Sequence, residues 1–187
     1  MKFGKEIFGV IELRIIDKEH QQDINIKNEP FTLWGRMIPQ YIDDKWSYAI
    51  EKRNPTEVSE MCFPDENYDY DTMYENSFFV GAYEEEKCVG LAIFQKGFFK
   101  YLYLYDLKVS TEYRRTGIAR KLIEMGKQIA TEQGYRGIYT QGQDNNLSAC
   151  LFYIHSGFRI GGLDTEVYKG TLQEGKRDIV FYLDCKD

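Results

Sequence analysis

Residues Tyr101 to Gln133, YLYLYDLKVSTEYRRTGIARKLIEMGKQIATEQ, decide the fold. Leu102 and Leu104 share one parity and Leu107 and Val109 the other, so a strand-like alternation slips by one residue near Asp106. A β-bulge produces such a slip and re-aims the backbone beside it; burial of both strand faces would leave the same pattern. After the basic turn Arg114-Arg115-Thr116-Gly117-Ile118-Ala119, apolar residues recur at helical spacing: Ile118, Leu122, Met125 and Ile129, flanked by Ala119, Ile123, Gly126 and Ala130. Gly134 is placed to end that helix. The first amides of a helix have no internal partner and sit at the positive end of its dipole, so strand, basic turn and helix together form a phosphate-binding arrangement. The loop closes with no Gly-Lys-Ser/Thr and has no Gly-x-Gly-x-x-Gly, which separates it from the Walker and dinucleotide patterns.

Arg114-x-x-Gly117-x-Ala119 after Leu107-Lys108-Val109 resembles the acyl-CoA-binding signature of the GCN5-related N-acetyltransferase (GNAT) superfamily. A second block, Asn146-x-x-Ala149-x-x-Phe152-Tyr153-x-x-x-Gly157-Phe158, is similar to that superfamily's other recurrent segment. Thr111 stands where many members carry proline. The resemblance implies an α/β (α+β) fold with a mixed, mostly antiparallel sheet of six to seven strands, flanked by helices, its central strand bulged and splayed from its neighbour. It also implies acetyl-CoA as co-substrate; no metal is expected, since the sequence has no His/Cys/Asp cluster at ligand spacing.

The length of 187 residues fits one domain spanning 1–187 with a substantial core. No run approaches the ~18 apolar residues of a membrane helix. Glu6 and Glu12 interrupt what would be the apolar part of a signal peptide, so a cytoplasmic location and no membrane partner are expected. Cys62, Cys88, Cys150 and Cys185 are too scattered for a zinc site or a disulfide framework. A net charge of −6 argues against nucleic acid and suits a cationic small molecule or peptide.

Along the chain, Val10 to Ile16 alternates like a strand, and Asp17 can open a short helix. Phe31 to Tyr41 and Trp46 to Glu51 flank a turn at Asp43-Asp44, their type undecided between extended and helical; Asn54-Pro55-Thr56-Glu57 has the form of a helix start. Phe63 to Asn76 (FPDENYDYDTMYEN) interleaves acids with Tyr68, Tyr70 and Tyr74 and holds no lysine or arginine, which suits either a solvated loop or a surface for a polycation. A hairpin follows over Ser77–Tyr83 and Cys88–Gln95. Then come a strand over Gly137–Gln141, a helix capped by Asn145 or Asn146 and ended by Gly157, and strands from Phe158 and over Asp178–Leu183.

The resemblance assigns roles residue by residue. The pantetheine arm pairs with backbone at Leu107 and Val109 and meets Asn146. The pyrophosphate lies on the amides of Arg115, Thr116, Gly117, Ile118 and Ala119, with Arg114 adding charge. Tyr153 is the proton donor to the leaving thiolate. Asp106 is the best-placed carboxylate for a base, though its position is often structural; Glu75, Asp71 or a water relay are alternatives. The acidic loop, Thr140-Gln141 through Tyr153, and Gly161-Gly162-Leu163-Asp164 with Tyr168-Lys169 are together similar to the streptothricin acetyltransferases, over about Phe63 to Leu183. That makes Asp69, Asp71, Tyr74, Glu75 and Asp164 candidate contacts for a cationic amine substrate. Peptide or ribosomal-protein N-terminal acetylation, polyamine acetylation, and a non-catalytic acyl-CoA-binding sensor module stand as alternatives. Dimers are common in the superfamily, so a homodimer is compatible with the chain.

Overall fold

The computed structural model describes residues 9–97 and 99–186. β1 (Ile11–Ile15) leads into a 3-10 helix, Lys18–Asn25, whose first amides are held by Asp17: its carboxylate accepts from Glu19 N at 3.0 Å and His20 N at 3.2 Å. Four short strands follow, β2 (Phe31–Leu33), β3 (Gly35–Ile42), β4 (Lys45–Lys52) and β5 (Ser59–Met61). The chain then forms α1 (Tyr70–Met73), the hairpin of β6 (Ser77–Glu84) and β7 (Lys87–Gln95), and β8 (Tyr101–Val109). It ends through α2 (Ile118–Glu132), β9 (Gly137–Gln143), α3 (Leu147–His155), β10 (Arg159–Asp164) and β11 (Asp178–Asp184).

Seven of the strands make one sheet in the order β1-β6-β7-β8-β9-β11-β10, antiparallel at every step except β8–β9. This is the mixed, mostly antiparallel sheet expected. Helices α2 and α3 cover one face, burying Phe94, Leu102, Leu104, Ile118, Leu122, Ile138 and Phe181. Gly126 permits that contact, since a Cβ there would come within 2.2 Å of the Phe94 ring. On the other face, over its β6–β7 half, Ile16, Ile24 and Tyr70 pack on Phe79, Leu91 and Ile93. No helix among the described residues is long and apolar enough to cross a membrane, and all four cysteines are free thiols.

The stretch left undecided between strand and helix is extended. β3 and β4 pair from Gly35↔Lys52 to Ile42↔Lys45 as a separate ribbon, turned by Asp43 (φ 50°) and Asp44 (φ 58°), the left-handed pair that a two-residue hairpin requires. The ribbon is fastened at its base to the β9–α3 junction: Met37 N donates to Asp144 O at 2.9 Å, and the Arg36 guanidinium meets the buried Asp144 carboxylate at 2.5 Å. The expected helix start at Asn54 yields only a three-residue 3-10 turn, Pro55–Glu57, because the chain at once re-extends into β5, which pairs with β2.

Candidate active site

The central strand is bulged. Ile93 pairs with Asp106 and the next residue, Phe94, with Leu104, so Tyr105 is the extra residue, one position from where the hydrophobic parity slips. β8 and β9 pair only from Tyr101↔Gly137 to Tyr103↔Tyr139. Beyond that point β8 stays on β7 as far as Val109 and β9 stays on β11 as far as Gln143, so two strands run on side by side with no ladder between them. The resulting gap exposes backbone donors and acceptors to anything extended that enters it. The Thr140 hydroxyl reaches across it, donating to Leu104 O at 2.9 Å.

At the far end of β8 the chain turns through Arg115 (φ 65°) and Gly117 (φ 92°) into α2. Gly117 occupies the N-cap position and no side chain caps the helix; its first turn holds no acid. A Cβ added to Gly117 would find nothing within 4 Å. Uncapped amides, open space and the absence of competing carboxylates fit a pyrophosphate. The two arginines divide their work. Arg114 is turned back onto the protein, donating to Val109 O at 3.1 Å and Pro30 O at 2.9 Å beside Glu29 at 3.6 Å. Arg115 is exposed, with no ion-pair partner among the described residues. Leu107 and Val109 follow the bulge on the unpaired edge, although the Val109 carbonyl is already taken by Arg114.

Tyr153 lies on α3, 8% exposed, its ring 5.4 Å from Phe158 and 5.3 Å from Phe181, against Gly142 of β9. Burial drives its phenol pKa up, with the fields of Cys150, Asp106 and Tyr103 adding to that and a hydrogen bond with Thr140 opposing it. A phenol so placed stays protonated at neutral pH and has a proton to give. Asn146 caps α3 through its Oδ1, which accepts from Ala149 N at 3.2 Å.

Asp106 lies on the other sheet face, paired across from Ile93. Its carboxylate is 3.2 Å from the Lys108 ammonium and accepts from the Tyr68 hydroxyl at 3.1 Å. Lys108 also bonds Glu66. Burial raises the Asp106 pKa and Glu66 contributes in the same sense, while Lys108 and Tyr68 pull it down. A buried carboxylate with a raised pKa is a competent base.

The acids of the 63–76 loop are largely answered from within the protein. Asp65 accepts from Asn28 N at 2.7 Å, Asp69 caps α1 by accepting from Asp71 N at 2.9 Å, and Asp71 pairs with Lys18 at 2.6 Å. Tyr74 stacks on Tyr70 at 5.6 Å, and the Glu75 carbonyl takes the Lys96 ammonium at 2.7 Å. Asp164 is not gathered with them. It ends β10, five sheet positions from β6, roughly 24 Å at ~4.8 Å per strand. There its Oδ1 accepts from Glu166 N at 2.9 Å and Val167 N at 3.0 Å.

On the face away from α2 and α3, the β8–β9–β11 half of the sheet is floored by tyrosines. Tyr103 stacks on Tyr139 at 4.7 Å and Tyr139 on Tyr182 at 5.8 Å, and Tyr105 lies edge-on to Tyr103 at 5.8 Å. The Tyr103 hydroxyl donates to Gln141 Oε1 at 3.1 Å. Beside this floor a cavity of about 560 Å³ is lined by Gln141, Gly162, Leu163, Asp164, Glu166 and Tyr182. Aromatic faces edged by carboxylates suit ammonium groups. Lys108, Thr140 and the tyrosine floor were given no individual role in the sequence, although Lys108 and Thr140 lie in the stretches that carry the resemblance, because each depends on which strand faces meet.

The sequence profile of the acetyltransferase (GNAT) family matches residues 45–158. The chain is 31% identical over 152 residues to streptothricin acetyltransferase A of Bacillus subtilis (strain 168), covering 80% of this chain and 86% of that one. A structure described as a streptothricin acetyltransferase of Bacillus anthracis strain Ames in complex with acetyl coenzyme A superposes with a TM-score of 0.82 at 27% identity, over 94% of this chain and 98% of the other. A nourseothricin acetyltransferase structure shares the fold, with a TM-score of 0.77 at 22% identity over 94% and 98%. The family profile and the Bacillus subtilis relative establish that the chain, with its bulged and splayed strand and uncapped turn before α2, belongs to the acetyltransferase (GNAT) family and is an acetyl-CoA-dependent N-acetyltransferase.

Proposed function

We propose that the chain is a single catalytic domain that transfers the acetyl group to a primary amine of a cationic small molecule, the β-lysine amine of streptothricin. The observation that carries this reading is the tyrosine floor of Tyr103, Tyr139 and Tyr182 on the sheet face opposite α2 and α3, with a cavity at its Tyr182 end edged by Asp164 and Glu166. The names of the relatives point to the same acceptor.

In this reading the pyrophosphate rests on the amides of Arg115 to Ala119, with the Arg115 guanidinium adding charge. The pantetheine arm enters the gap past Leu107 and Val109 and meets the free amide end of Asn146. The acceptor approaches over Tyr103 and Tyr105, so that nucleophile and thioester meet at the gap. A primary amine with a pKa near ~10 arrives protonated; Asp106, raised by burial, takes that proton, and Tyr153 donates one to the departing thiolate. Asp164 and Glu166 hold a second ammonium. Asp69, Asp71, Tyr74 and Glu75 form the outer rim, where charge draws a polycation in before contact.

The test is release of free CoA thiol from acetyl-CoA by purified protein, comparing streptothricin with spermidine, aminoglycosides, lysine-rich peptides and a peptide with a free N-terminal alanine. Rapid turnover confined to streptothricin supports the assignment. Preference for spermidine or a peptide overturns the acceptor, and acetyl-CoA binding without turnover on any of these amines removes every one of them.

A further inference from the structure

We infer that Thr140 is the positioning residue of Tyr153, holding its hydroxyl at the point where β8 and β9 part and supplying the proton that stabilises its anion. The inference rests on the reading of Tyr153 as the proton donor. Thr140 is the first residue of β9 beyond the last pair with β8, and it is 3% exposed. Its hydroxyl donates across the gap to Leu104 O at 2.9 Å. Its register partner on β11 is Phe181, whose ring lies 5.3 Å from that of Tyr153, and Gly142, two residues on and on the same side of β9, abuts the Tyr153 ring. Thr140 and the phenol therefore share one pocket, and their hydrogen bond opposes the upward pull of burial on the phenol pKa.

The Thr140 hydroxyl has one proton and two neighbouring acceptors. At rest it bonds Leu104 O at 2.9 Å, and its lone pairs remain able to accept. When the amine nitrogen bonds the acyl carbon and the C–S bond breaks with its electron pair on sulfur, the Tyr153 proton passes to the thiolate. The Thr140 O–H then rotates from Leu104 O to the phenolate oxygen. The proton released by the acceptor amine returns the phenolate to phenol through solvent.

The experiment compares Thr140→Val, Thr140→Ser and Thr140→Cys, each alone and with Tyr153→Phe, in acetyl-CoA turnover on streptothricin. Thr140→Val is expected to lower kcat about 10- to 100-fold, the scale of one hydrogen bond to a charged group, with the KM for acetyl-CoA within about twofold. Serine should restore the rate, and cysteine, a weaker donor of similar size, should fall between; cysteine decides the matter if valine prevents folding. In the Tyr153→Phe background Thr140→Val should cost nothing further. Full rate in both the valine and cysteine variants, or an equal loss with and without the phenol, would overturn the inference. Full rate in Tyr153→Phe alone would instead remove the proton-donor reading on which it rests.

Discussion

The Lys108 ammonium and the Asp106 carboxylate lie 3.2 Å apart, two residues along β8 and therefore on one face of the sheet. Burial and this pair act on the Asp106 carboxyl in opposite directions, burial raising its pKa and Lys108 lowering it. Because burial raises the Asp106 pKa above the usual carboxylate range, the folded state favours its protonated form. Any stability it contributes is full below the unfolded pKa and is lost as pH rises through the folded one. Asp106→Asn is therefore expected to melt no lower than the parent at pH 7, with Glu66 still holding Lys108. If Asp106 is the base, the acid limb of kcat/KM in the parent lies above the ordinary aspartate range, and the asparagine variant loses both that limb and about 10²-fold or more in rate. A pH–rate profile beside a thermal melt separates the roles: unchanged rate with lowered stability would make Asp106 structural.

Tyr153→Phe removes a hydroxyl from a pocket walled by Phe158 and Phe181 while keeping the ring that fills it. The expected result is a fall in kcat of about 10²-fold, with the KM values of both substrates within about threefold and little change in melting temperature. A parallel rise in the KM for acetyl-CoA would mean that the hydroxyl binds the co-substrate rather than protonating its thiolate.

The part of the site legible in the sequence is the part made by neighbours in the chain. The parity slip near Asp106 anticipated the bulge at Tyr105, and Gly134 and Gly157, at φ 75° and 90°, end α2 and α3 where their positions predict. The β3–β4 ribbon stayed ambiguous because its burial alternates only over the first five residues of β3 and β4 is exposed almost throughout, although the turn at Asp43-Asp44 was evident. The acidic loop read as unanswered charge because its partners, Lys18, Asn28 and Lys108, come from distant segments. Thr140 and Tyr153 are likewise brought together only by the stacking of α3 on β9.

Gly117 and Gly134 both need left-handed backbone, at φ 92° and 75°, and a Cβ on either would meet nothing within 4 Å. An alanine at either position therefore carries the same strain, about 1–2 kcal/mol, without a clash. The two differ in what they adjoin. Gly134→Ala is expected to lower stability by that amount and leave the Kd for CoA unchanged. Gly117→Ala is expected to weaken CoA binding by about tenfold as the turn relaxes away from the geometry that aims its amides. Calorimetric titration with CoA on both variants checks this; equal affinity in the two would mean that the turn does not hold the phosphates.

Asp44 has φ 58° in a two-residue turn whose geometry favours glycine at the second position, and it follows Asp43, at φ 50°, so two carboxylates are crowded at the tip of the β3–β4 ribbon. Asp44→Gly relieves the left-handed strain of a residue with a Cβ and removes one of two adjacent like charges. It also gives the unfolded chain more freedom, which acts in the opposite direction. Strain relief outweighs that added freedom, so a net gain of about 0.5 kcal/mol is expected, a rise of roughly 1–2 °C in Tm for a chain of this length. The turn lies at the end of the ribbon remote from the Arg36–Asp144 anchor at its base, so kcat and both KM values should not change. A fall in Tm would show that Asp44 contributes more through contacts such as the 3.2 Å hydrogen bond it accepts from the Tyr41 hydroxyl than it costs in backbone strain.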